Sequence, residues 1–181
     1  MTSVIRANEW QRSNGTRQST VIQVVQTVFR DTFSTAIGDG WADVTGLNCT
    51  ITPTYATSRI LVSLRCVAGA QYWQNKIRLM RNGAVVTGAT GNPNGARPAV
   101  WLNQIRYDAG AASGQDIYDM SCMAGDYIDT PGTTGSLTYG IQLGGYSTSY
   151  TVYINRSHNY SASTSYDGAP ISTLTLTEIA L

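Results

Sequence analysis

The sequence predicts an all-β domain, an antiparallel β-sandwich of jelly-roll type, and three observations carry that expectation. Short β-branched and apolar segments recur from residue 21 to the C-terminus. Clusters of Gly, Pro, Asn and Ser separate them. No stretch sustains three turns of helical periodicity. Many short strands joined by turns, the last ending on the final residue, fit two packed antiparallel sheets. At 181 residues the chain is long enough to bury a core without a disulfide or a metal.

Along the chain, residues 1–20 are polar with Trp10 as their one large apolar side chain, and such a stretch buries too little surface to fold alone. It is either a tail or an arm that orders against a neighbour through Trp10. Residues 21–181 form the sandwich domain. VIQVVQTVF (21–29) is apolar on both faces and reads as a buried or interface strand. WADVTGLNCTITP (41–53) holds two short strand pieces closed by Pro53. RILVSLRCV (59–67) sets Ile60, Leu64 and Cys66 against Arg59, Ser63 and Arg65, a period of two. QYWQNKIRLM (71–80) and AVVTG (84–88) flank Asn82-Gly83, whose preference for positive φ marks a tight hairpin. After the Gly/Pro-rich loop 88–98, AVWLNQIRY (99–107) and DIYDMSCM (116–123) are further strands. SLTYGIQL (136–143) puts Leu137, Tyr139, Ile141 and Leu143 on one face, and YTVYIN (150–155) groups Tyr150, Val152 and Ile154. ISTLTLTEIAL (171–181) sets Leu174 and Leu176 against Thr173, Thr175 and Thr177. The expectation is eight to ten strands.

Charged residues are only 13% of the chain, about half the share of an ordinary soluble domain. The cations are eleven Arg and one Lys, Lys76. Arg tolerates protein interfaces and Lys is depleted there, so this balance points to extensive protein–protein burial. A net charge of +1 without a basic run gives no footprint for nucleic acid. Membrane-spanning apolar stretches and a signal-peptide core are both missing from the sequence. Cys49, Cys66 and Cys122 lack metal or redox spacing and read as reduced thiols made in a cytoplasm, with a Cys49–Cys66 pair left open.

Candidate chemistry is sparse. His158, the single histidine, lies in NRSHNYSASTSY (155–166) with serines and Asp167 nearby, but no nucleophile turn accompanies it. Asp116, Asp119, Asp126 and Asp129 cluster, yet a spacing of three along a strand sends neighbours to opposite faces, which suits solvated or Arg-paired carboxylates better than a calcium loop. The sequence therefore implies a non-enzymatic chain with no catalytic residue, metal or other cofactor. Tyr146, Tyr150, Tyr153, Tyr160 and Tyr166 crowd the last third, where tyrosine serves subunit packing or stacking on sugar rings. Tyr146, Tyr150, His158, Tyr160 and Tyr166 are the candidate partner surface. The Asn-x-Ser/Thr matches at Asn14, Asn48, Asn155 and Asn159 are the chance yield of a Ser/Thr-rich chain.

VIQVVQ (21–26), DTFS (31–34), WADVTGLNCTITP (41–53), SRILVSL (58–64), YINRS (153–157) and STLTLTEI (172–179) follow one another in an order that resembles small virion structural proteins of phages of cyanobacteria and other aquatic bacteria. NEWQRSNGT near the N-terminus resembles the lead-in of that family. The motifs cover somewhat under half the chain, and residues 70–149 match none of it. The resemblance implies a jelly-roll sandwich like tumour-necrosis-factor domains, assembled as a homotrimer, with no catalytic residues to transfer. Trp10, Arg6, Arg12 and Arg17 in the arm, with Val21 and Val25 of the first strand, are the candidate assembly contacts. The expected location is the virion, with other virion proteins (the major capsid protein or tail components) and host glycan as partners. Coiled-coil, collagen and β-helix repeats are missing, so no shaft is evident. A decoration protein bound over several shell subunits therefore ranks ahead of a short tail-fibre tip. A secreted carbohydrate-binding module is the alternative of another class.

Overall fold

Period-two alternation dominates the chain, and it folds into two antiparallel sheets whose apolar faces meet. The computed structural model describes residues 20–37, 40–70, 74–105, 118–145, 151–160 and 168–180. Its strands are β1 (Thr20–Phe29), β2 (Phe33–Ala36), β3 (Trp41–Asp43), β4 (Cys49–Ile51), β5 (Arg59–Ala70), β6 (Gln74–Arg81), β7 (Ala84–Val85), β8 (Leu102–Ile105), β9 (Met120–Asp129), β10 (Leu137–Gly144), β11 (Thr151–Ile154) and β12 (Ser172–Ala180). A 3₁₀ turn, Thr87–Ala89, lies between β7 and β8. The first sheet runs β1-β12-β5-β11-β2, with β9 on the other edge of β5. The second runs β3-β10-β6-β7, with β4 also on β10 and β8 on β6. All the pairings among the described residues are antiparallel, and five of them nest in four levels. The outermost strands β1 and β12 pair, then β3 and β4 with β10, then β5 with β9, and innermost β6 with β8.

The core is the product of alternation. Ile60, Val62, Leu64 and Cys66 of β5 are buried, as are Leu137, Tyr139, Ile141 and Leu143 of β10 and Leu174 and Leu176 of β12. Asn82 (φ 50°) and Gly83 (φ 78°) make the β6–β7 hairpin turn that their preference for positive φ predicts. Four features depart from the sequence reading. Residues 21–29 form an edge strand on which Val21 and Val24 are exposed, so of the two alternatives, buried or interface, the buried one does not hold. Thr20, assigned by sequence to the arm, already opens that strand. β9 runs on to Asp129 through Gly125 and Asp126, residues of low strand propensity, because ten register positions on β5 hold it. β2 is a further strand, existing through its pairing with β11. Cys49 and Cys66 are free thiols.

Three buried polar groups tie elements of the fold together. Glu178 on β12 is fully enclosed. Its carboxylate accepts hydrogen bonds from Gln23 Nε2 at 2.6 Å, Ser58 Oγ at 2.7 Å, and both the backbone N (2.7 Å) and Oγ1 (3.2 Å) of Thr54. Burial pushes this carboxyl up, but those donors outweigh it and hold the group below the usual carboxylate range. Asn155, at φ 56°, donates from Nδ2 to the carbonyls of Phe29 and Asp31 and accepts from Ser172 Oγ. Asp129 accepts from Tyr139 Oη at 2.6 Å and pairs with Arg81, joining β9 to the second sheet.

Replacing Glu178 with Ala strands donors inside the molecule, and a loss of roughly 3 kcal/mol in urea unfolding is expected. The folded carboxyl titrates below the unfolded one, so its stabilisation is complete above the ordinary Glu pKa and disappears as pH falls through the folded value. The stability gap between wild type and Glu178→Gln should therefore narrow on acidification below about pH 4. A gap that does not change with pH would show that the Glu178 carboxyl titrates alike in the folded and unfolded chain, and a change in the opposite sense would show that it is held neutral in the fold.

Candidate functional site

The corner after β11 gathers one set of the residues that the sequence singles out. Left-handed Asn155 turns the chain sharply, and Gly69 lets it close on β5: a Cβ there would lie 2.4 Å from the Arg156 carbonyl oxygen. The turn carries Arg156 back over aromatic rings. Its guanidinium carbon lies 4.9 Å from the Tyr153 ring centre and 5.0 Å from that of Tyr160, within cation–π range of both. Nε and a terminal amino group donate to the carbonyls of Ser157 and His158. Tyr153 is buried, and its hydroxyl shares a 2.8 Å hydrogen bond with His158 Nδ1. Tyr160 is exposed, and Asn159 reaches the Tyr118 hydroxyl at 2.6 Å. The corner thus presents an aromatic ring backed by a fixed cation. Its histidine is engaged by a tyrosine; Asp167, the carboxylate considered with it, lies outside the described residues.

The outer face of the first sheet is the second surface. Register places Val24, Thr177, Leu61 and Ile128 side by side across β1, β12, β5 and β9. Beside that row, Val21 stands opposite Ile179. The pairing slips between Val21 and Gln23, so Ile22 is an extra residue. That bulge turns Val21 outward while Gln23 points in to Glu178. Val21 and Val24 are each 58% exposed, Ile128 50% and Ile22 38%. Arg59 and Asp126 flank the row, Arg65 lies four residues along β5 from Leu61, and none of them has an ion pair among the described residues. The outer face of the second sheet differs, because its groups satisfy one another. Arg78 stacks 3.7 Å from the Trp41 ring centre, Gln142 donates to Asp43, and Thr50 bonds Thr138.

A cleft of about 430 Å³ opens between β8 and β9, lined by Leu102, Gln104, Ser121 and Met123 among others. Gln104 and its cross-strand neighbour Asn75 each bury a side-chain oxygen that has no partner among the described residues. Two such acceptors side by side suit an ordered water, which has two protons to give.

Of the assembly contacts expected from sequence, Val21 lies on the exposed face, whereas Val25 packs inward against the core. Trp10, Arg6, Arg12 and Arg17 lie outside the described residues. Of the partner surface, His158 and Tyr160 meet at the corner, and Tyr146, Tyr150 and Tyr166 lie outside the described residues. Arg156 and Ile128 were not singled out by sequence. The alternation of DYID gives some hint of Ile128, while nothing local marks Arg156. Asp126 and Asp129 face opposite ways, as their odd spacing requires.

No protein-family model matches the chain, and no curated protein matches its sequence. Similar solved structures include dimeric latent PorU from Porphyromonas gingivalis, at 7% identity and a TM-score of 0.38 over 93% of this chain. Another is the VP2 subviral particle of infectious bursal disease virus, at 12% identity and a TM-score of 0.36 over 97% of this chain. The chain spans 14% of the first of these and 44% of the second.

The cysteines report on these surfaces. Cys122 is exposed on β9, whereas Cys49 and Cys66 are buried, and burial pushes the Cys66 thiol up to about 12. A chromogenic disulfide reagent at neutral pH should label one thiol quickly and the other two only after unfolding, and Cys122→Ser should remove the fast phase. Fast labelling that survives this change would contradict the placement of β9.

Proposed function

We propose that this chain is a bacteriophage virion structural protein on the particle surface, a capsid decoration protein that binds several shell subunits and acts without catalysis. The observation that carries the reading is the open apolar face beside edge strand β1 in a chain poor in charge and nearly free of lysine. Such a face is unfavourable in a solitary soluble domain and suits one that is covered on assembly. The nested strand pairing supports a jelly roll, an architecture that capsid domains use. The phage setting and the homotrimer rest on the resemblance of motifs. The N-terminal stretch joins at Thr20, beside Val21 and Ile22, so in this reading an arm and an apolar face act from one edge.

A second reading, a short tail-fibre tip that binds host glycans, is favoured by the exposed Tyr160 ring backed by Arg156. The same surface would serve a secreted carbohydrate-binding module. Imaging of the intact particle should place this protein on the head shell, and particles stripped of it should rupture at lower temperature. Density on the tail, with adsorption lost and heat resistance kept, would establish the fibre reading instead. Glycan-array binding by the isolated chain, lost on Tyr160→Ala, would support a sugar-binding role.

A further inference from the structure

The apolar row on the outer face of the first sheet has a geometry that selects its occupant. It crosses four strands at one register level: Val24 on β1, Thr177 on β12, Leu61 on β5 and Ile128 on β9. On β5, Arg59 lies two residues to one side of the row. On antiparallel β9, Asp126 lies two residues from Ile128 and therefore on the other side, opposite Ser63. Each charge is one strand step from the lane of the other, and they stand at mirrored levels about the row.

We propose that this face packs against the same face of a second copy of this chain, about a two-fold axis that lies along the row. That operation sets the Val24–Ile128 row of one copy on the row of the other. It also carries each Asp126 across to the level of Arg59 on the facing copy, one lane away, so two reciprocal ion pairs flank one apolar seam. Isologous contacts need this self-complementarity: wherever one residue meets a second, the second must also meet the first. Aligned packing of two sheet faces places their backbones about 10 Å apart, which apolar side chains of this size fill. Arg59 and Asp126 have no ion pair within the described residues and are available to the copy. A partner of another kind would need both signs of charge in this same mirrored order. The contact is independent of the particle reading, and within a trimeric unit it would join one trimer to another.

Analytical ultracentrifugation of the full chain tests it. The wild type should sediment at twice the mass of Ile128→Arg, measured at equal concentration, and circular dichroism should give both the same spectrum and melting profile. Reversal of one charge, Asp126→Arg or Arg59→Asp, should weaken the association about tenfold or more, and the double reversal should restore it. Equal mass for wild type and Ile128→Arg would overturn the proposal. So would a double reversal no tighter than the single ones, since a face that merely needs apolar cover gains nothing from exchanged charges. Failure here leaves the head-versus-tail question untouched, because that is read from the particle.

Discussion

A carboxylate inside an apolar sandwich must be met by donors, and Glu178 imposes that condition on this fold. It sits in the alternation of β12 at a place where Leu174 and Leu176 are already core. Its oxygens are satisfied only when Gln23 of β1 and Thr54 and Ser58 from the turn before β5 converge on them. Those donors come from two parts of the chain, both far in sequence from Glu178. A slip of β1 by one residue would remove Gln23 and leave a charge partly unmet, a penalty far larger than the small differences between alternative apolar registers. The bulge at Ile22 belongs to the same condition, since it keeps Gln23 pointing in while Val21 points out.

Asn155 and Asp129 repeat the device elsewhere. Asn155 adopts the left-handed conformation that asparagine tolerates better than most residues, and from there it ties the turn after β1, at residues 29 and 31, to Ser172 and to β5. Asp129 joins the sheets through Tyr139 and Arg81, and burial together with the carboxylate pushes the Tyr139 hydroxyl well above its ordinary range. Ser58, Asn155, Ser172 and Glu178 all lie within SRILVSL, YINRS and STLTLTEI, the motifs that carry the resemblance to phage virion proteins. Those motifs carry residues of the Glu178 and Asn155 ties, whereas the Asp129–Tyr139–Arg81 tie lies outside them. The surfaces that would meet a partner draw on other residues, such as Ile128, Asp126 and Tyr160.

The two sheets divide the labour of facing the surroundings. On the second sheet, Arg78, Trp41, Gln142 and Asp43 engage one another, so that face presents few unmet groups. On the first, Val21, Val24 and Ile128 stand open beside Arg59 and Asp126, which have no ion pair among the described residues. In the proposed role, the face that is left apolar is the one that a partner would cover. This contrast, rather than any cluster of reactive groups, leads the functional reading towards assembly.

Alternation along β5, β10 and β12, the Asn82-Gly83 turn and the absence of helical periodicity were enough to determine a β-sandwich and most of its core, because facing in a strand is set by parity alone. The charge-poor, Lys-poor composition likewise determined that burial by other protein was to be expected. Tertiary structure decided what parity leaves open. Whether Val21–Phe29 is central or an edge depends on which strands pair with it, and β12 alone does so among the described residues. Whether Val25 or Val24 is exposed depends on the bulge at Ile22. β9 extends through Gly125 and Asp126 because β5 holds it, against local propensity. The row from Val24 to Ile128 joins residues more than a hundred positions apart, and only the register of four strands brings them side by side.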